Sequence, residues 1–148
     1  MTLPRPEVGL VIHYSFLWHR EMKEGRSEGV KNRPCAIVGA VKLEDGMLRA
    51  YVLPVTHSEP KDKTSAVELP QKVKQSLGLD DQRSWVMCDE VNLFVWPGLD
   101  LSRRPEGGFS YGFLPPGLFG QIKQKFVEKM NEKELRFVNR DDRHGPKP

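Results

Sequence analysis

The chain has 148 residues, 38% apolar and 29% charged, and a formal net charge of +3. That size and balance describe one globular domain able to bury a core, and exclude the disordered, fibrous and collagen-like classes. No apolar run approaches the roughly 20 residues needed to cross a bilayer. Met1–Glu7, with two prolines and an acid, precedes no apolar signal-peptide core, so the expected location is cytoplasmic. From Gln121 onward there are eight Lys/Arg against five Asp/Glu, while the preceding residues hold fifteen of each. A basic end on a neutral body is compatible with touching nucleic acid without arguing for it alone.

In chain order, Val8–Tyr14 reads as a first strand, rich in β-branched residues and ending in an aromatic. Ser15–Asn32 is a long charged connection with a short helical turn expected around Trp18–Lys23; loops of that length are often functional. Cys35–Lys42 is the second strand and Met47–Val55 the third. Between them Glu44-Asp45-Gly46 signals a hairpin, because Asp-Gly supplies the positive φ of a tight turn. After a polar loop (Ser58–Thr64), Val67–Leu69 is extended. Pro70 opens a brief helix, Gln71–Leu77, that Gly78 ends.

Ser84–Cys88 and Val91–Trp96 are further strands, and Leu99–Gly112 is read as irregular. A terminal helix is expected over 115–133, where Leu118, Phe119, Ile122, Phe126, Val127 and Met130 form one apolar stripe facing the sheet. Asn131–Pro148 then thins into a charged tail. One domain is expected over 1–140, with 141–148 mobile. The sum is five or six short antiparallel strands with one inserted and one terminal helix. That is a mainly β (α+β) chain folded as a small, strongly bent barrel closed by a C-terminal helix.

Cys35 and Cys88 lie far apart, each inside an apolar run, and read as two buried thiols in a reducing compartment. His13, His19, His57 and His144 show no zinc-ligand spacing, so neither metal nor other cofactor is expected.

Candidate chemistry gathers at one end of the central hairpin. Pro34 biases Arg33 toward extended angles at the root of strand two. A pinned guanidinium loses little freedom on gripping an anion, matches a phosphate with its planar fork and stays charged. Thr56 ends strand three, so the hairpin brings a hydroxyl to the same rim, a plausible oxyanion or phosphate cradle.

Arg33-Pro34 before an apolar strand, Leu53-Pro54-Val55-Thr56 at the end of the next and Val86-Met87-Cys88-Asp89-Glu90 on a later one resemble the PemK/MazF toxins of bacterial toxin–antitoxin pairs. The similarity runs from about Val8 to Trp96, with the terminal helix also in the expected place. It implies an SH3-like barrel of the PemK/CcdB-like kind, a homodimer, that cuts single-stranded RNA without metal and is neutralised by an antitoxin carrying an acidic, partly disordered segment. It places Arg33 and Thr56 at the cleavage site, with Asp89 as a contributing acid. The pattern departs at Met87, where one branch of the family has an arginine. A second cation would then come from Arg26, Lys31, His57 or the partner subunit.

A matching mechanism is attack of the ribose 2′-OH on the adjacent phosphate, giving a cyclic phosphate and a free 5′-OH. Arg33 would stabilise the charge, Thr56 would hold a phosphate oxygen, and His57 or Asp89 would act as base, His19 being a lesser candidate. Among Phe16, Trp18, Phe94 and Trp96, rings near the site would stack on unpaired bases at about 1–3 kcal/mol each. Trp18, His19, Arg26 and Lys31 are the candidate RNA contacts. The alternatives are a toxin of the same fold that binds a protein such as DNA gyrase without cleaving RNA, and an SH3-like interaction module.

Overall fold

In the computed structural model of the chain, which describes residues 3–29 and 31–141, the Asp45-Gly46 signal forms its turn. Gly46 has φ +87°, its N–H donates to Leu43 O (2.9 Å), and Asp45 Oδ1 accepts from Met47 N (2.9 Å); glycine takes that φ without steric cost. The turn joins β2 (Asn32–Lys42) to β3 (Leu48–Thr56), antiparallel, with Lys42 opposite Leu48 and Cys35 opposite Pro54. β1 (Leu10–Ser15) runs along the other edge of β2, Tyr14 opposite Arg33.

Five shorter strands complete the sheet: β4 (Ala66–Glu68), β5 (Trp85–Met87), β6 (Glu90–Val95), β7 (Ser110–Phe113) and β8 (Arg136–Asn139). The order is β4-β5-β3-β2-β1-β7, with β6 also against β3 and β8 outside β6. β3 pairs with β6 through Arg49–Val52 and with β5 through Val55–Thr56. One long strand thus serves two neighbours on one edge, and the sheet curls around it into a half-barrel.

Three expectations are corrected here. Eight strands form rather than five or six. Ser110–Phe113, which begins inside the segment read as irregular, pairs with β1 through a bulge between Val11 and Ile12. Arg136–Asn139, read as part of the charged tail, is a strand, and it pairs with β6 in parallel, Val91 opposite Phe137. A parallel neighbour needs a long crossover, and the terminal helix lies within it. Neither strand carries a local signal strong enough to announce a partner so distant in sequence.

The helices are α1 (His19–Lys23), α2 (Gln71–Ser76) and α3 (Pro116–Asn131). Of the apolar residues on α3, Ile122 and Phe126 are buried, with Leu118 and Phe119 packed beside them; Val127 and Met130, expected on the stripe, are exposed. The buried position one turn after Phe126 is Lys129, whose ammonium reaches Glu134 (2.9 Å) and Thr64 (3.1 Å). Among the described residues no helix is long and apolar enough to cross a membrane. Val30, His144 and the expected mobile tail beyond Asp141 lie outside the described residues.

Period-two alternation gives the sheet two apolar faces. Ala36 and Val38 join Leu53, Val86, Ile122 and Phe126 on one, while Cys35 and Ile37 join Ile12, Tyr14, Phe16 and Phe94 on the other. Cys35 and Cys88 are both fully buried and unpaired, and burial pushes both thiols up, Cys88 to about 12. Thiolates being the reactive form, both cysteines should resist an aromatic disulfide reagent until denaturant is added. Prompt labelling of either in the native protein would contradict this packing.

Arg140, the residue after the C-terminal strand, is 2% exposed. Its guanidinium donates to Ser15 O (2.6 Å), Asn92 Oδ1 (3.0 Å) and Ser27 O (3.3 Å) and pairs with Asp100 (3.2 Å). Asn92, also buried, donates to Leu17 O (2.7 Å) and accepts from Leu17 N (2.9 Å). The connection after β1 is therefore tied at Ser15, Leu17 and Ser27 to Asn92 of β6 and to Arg140 just after β8, while Met22–Glu28 stay exposed to solvent.

Candidate nucleic-acid cleavage site

Continuing the β2–β3 register two residues from the Cys35–Pro54 pair sets Arg33 opposite Thr56. Residues opposite each other in a ladder share a face, and these two share the aromatic one. Both line an open cleft of about 220 Å³ with Trp18, Arg20, Ser58 and Met87. Trp18 opens α1, its N–H donating to Glu21 Oε1 (3.1 Å), and the next amide, of His19, donates to Glu90 Oε1 (3.1 Å). Two cations lie over its ring, the guanidinium carbons of Arg33 and Arg20 at 5.2 and 5.4 Å from the centroid.

Arg33 is half-buried and, among the described residues, has no carboxylate within ion-pair distance. One N–H group donates to Val55 O (3.4 Å), while Nε is buried without a partner. Burial pulls its pKa below the usual guanidinium range. A desolvated charge lacking a counter-ion is unfavourable by itself, so an anion arriving at this ledge is strongly favoured. Thr56 Oγ1 accepts from Ser58 N (3.1 Å), which leaves its O–H free to donate into the cleft.

His57, the next residue, falls on the other side. It lines a second cleft, about 200 Å³, with Lys31, Pro34, Lys74, Leu79 and Asp80, and Arg33 borders both clefts. Its Nε2 is hydrogen-bonded to Asp80 Oδ2 (2.9 Å), leaving Nδ1 as the nitrogen that Asp80 does not engage. Asp80 is held in turn by Lys74, a lysine 1% exposed, whose ammonium donates to Asp80 Oδ1 (2.8 Å), Ser84 Oγ (2.7 Å) and the carbonyl of Gln82.

Asp89 is not on the ledge. It lines a third groove, about 620 Å³, with Asp62, Ser65, Lys133 and Arg136; this groove meets the ledge only through Pro60 and Met87. Burial pushes its carboxyl above the usual range against the opposing pull of Arg136. Its expected part as a base beside Arg33 is thus not supported by its placement. Of the proposed RNA contacts, Trp18 lines the ledge and Lys31 the second cleft. Arg26 lines a separate groove between α1 and β8 with Met22 and Phe137, and His19 lines none of these four. Phe16 and Phe94 are core residues, each 1% exposed.

Met87 does stand in the cleft, and the second cation there is Arg20, which sequence reasoning passed over. The signal was available, since Arg20 lies two residues beyond Trp18 in the same helical turn. Lys74 and Asp80 were missed for another reason: their meeting depends on how the α2 loop folds back.

No family model and no curated protein matches the chain. Among solved structures it is similar to the Mycobacterium tuberculosis toxin MazF-mt6, over 82% of this chain and 96% of that one, with a TM-score of 0.51 at 17% identity. An identity that low speaks for architecture, and the curled half-barrel with its terminal helix matches. The chain has a MazF/PemK-type fold.

Proposed function

We propose that this chain is the toxin component of a toxin–antitoxin pair and an endoribonuclease that cuts single-stranded RNA without a metal ion. The observation that carries the reading is the Arg33 guanidinium, without a counter-ion among the described residues, opposite the Thr56 hydroxyl on one open ledge. The strand would cross Arg33 from one cleft to the other. The 2′ oxygen attacks the adjacent phosphorus, its proton passes to His57 Nδ1, and the P–O5′ bond breaks as solvent protonates the leaving oxygen. The products are a 2′,3′-cyclic phosphate and a 5′-OH. Arg33 offsets the charge growing on the phosphoryl oxygens, Thr56 donates to one of them, and Asp80 orients the imidazole. Trp18, lining the same cleft, is the ring on which an unpaired base would stack. The partners that follow are single-stranded RNA, an antitoxin with an acidic segment that pairs with these arginines, and a second copy of the chain, all in the cytoplasm.

The test is incubation of the purified protein with single-stranded RNA in EDTA, followed by mapping of product ends. Cyclic-phosphate ends are expected, and none when the scissile ribose is 2′-deoxy. Intact RNA would favour a toxin or interaction module that binds a protein instead. A His57→Gln protein cleaving at the full rate would remove the imidazole from the mechanism and leave the ledge in it.

A further inference from the structure

The groove that holds Asp89 begins where the ledge ends, since Pro60 and Met87 line both. Its far wall is the turn from α3 into β8, and that turn closes in a specific way. Lys133 N donates to Met130 O (3.0 Å) and Glu134 N to Lys129 O (2.9 Å), the paired bonds of a Schellman closure. The closure needs a left-handed residue, and Lys133 has φ +59°, the one positive φ outside glycine among the described residues. Glycine fills such positions without strain; a residue with a Cβ is disfavoured there. A strained lysine facing a groove is the kind of outlier from which function is reasonably inferred.

The charges around it are arranged to leave that lysine available. Lys129, 5% exposed, draws Glu134 (2.9 Å) and Asp62 (3.6 Å) toward itself, an ion pair standing where an apolar contact usually braces the closure. Arg136 pairs with Glu90 (3.6 Å). Lys61 and Lys133, both on the groove, have no carboxylate within ion-pair distance among the described residues.

We propose that this groove carries the RNA strand onward from the ledge. An unpaired nucleotide would lie over Met87, with Lys133 holding its phosphate. Met87 offers a soft apolar surface to the base, and the Asp89 carboxyl and Glu134 offer hydrogen-bonding groups to its edges. The inference rests on the RNA reading above and adds to it a second binding site with its anchoring residue.

The test uses the full-length protein and 2′-O-methyl oligonucleotides, which bind without being cut, in a short form that fills the ledge and a longer one that reaches the groove. Lys133→Gly should raise the melting temperature by about 3 °C, because it relieves the backbone. It should weaken binding of the longer strand by about three- to tenfold, with a shallower salt dependence, and leave the short strand unaffected. Lys133→Arg should keep the affinity. A Lys133→Gly protein that binds the longer strand as the unmodified protein does overturns the inference. If the unmodified protein binds neither strand, the RNA reading falls and this inference with it; binding without cleavage removes only the nuclease mechanism.

Discussion

Arg33→Ala is expected to slow RNA cleavage by about 100- to 1,000-fold, the loss typical when one preorganised donor to a developing oxyanion is removed. The melting temperature should stay within a few degrees of the unmodified protein's. The combination follows from the surroundings. Among the described residues Arg33 contributes no ion pair to the scaffold, its hydrogen bond to Val55 O is long (3.4 Å), and its Nε is buried without a partner. Its stabilising contact is the face of Trp18 at 5.2 Å, and cation–π contacts are worth about 0.5–2 kcal/mol. Arg33→Lys should recover little, since an ammonium cannot present two parallel N–H groups to a phosphate. The measurement is single-turnover cleavage beside a thermal melt. A large drop in melting temperature would mark Arg33 as scaffold and the rate loss as a folding effect.

Arg140→Ala is expected to act the other way, through stability. Removing one partner of a buried, hydrogen-bonded ion pair costs about 3–5 kcal/mol, a large part of the roughly 5–15 kcal/mol that holds a domain folded. The substitution would leave Asp100, 8% exposed, without its guanidinium, and would free the carbonyls of Ser15 and Ser27. Both carbonyls flank the segment that carries Trp18 and Arg20. The cleft wall should loosen before the sheet does, so amides of 16–27 should exchange hydrogen faster than those of β2 and β3. A urea midpoint close to that of the unmodified protein would show that Arg140 does not staple the loop.

These two arginines also show what a sequence reveals and what it hides. Arg33 was legible because everything that places it is local: Pro34 extends it, an apolar strand follows it, and the Asp45-Gly46 turn returns Thr56 to its side. The helix from Pro116 was legible for the same reason, through its own periodicity. Arg140 was not. It follows a charged stretch that reads as solvated, and Ser15, Ser27, Asn92 and Asp100, which it holds, lie 40 to 125 positions away along the chain.

The same division explains the site. Alternation at a strand end separates Thr56 from His57, both of which the sequence offers as site residues. Asp89 follows β5 but faces the groove beneath the α3–β8 turn, and no pattern in the chain says that this turn will be there. Lys133 looked like the last residue of a helix. Only its left-handed backbone, set by the closure onto β8, makes it unusual.

The most direct test of the shared ledge is a double-mutant cycle in single-turnover cleavage, with Arg33→Ala, Thr56→Val and the two combined. Thr56→Val alone should cost about tenfold, one hydrogen bond to a charged oxygen. If both side chains hold the same phosphate, the double variant should be little slower than Arg33→Ala alone, because groups acting as a unit are not additive. Rate losses that multiply in full would mean that the guanidinium and the hydroxyl serve separate steps, contradicting a single shared phosphate.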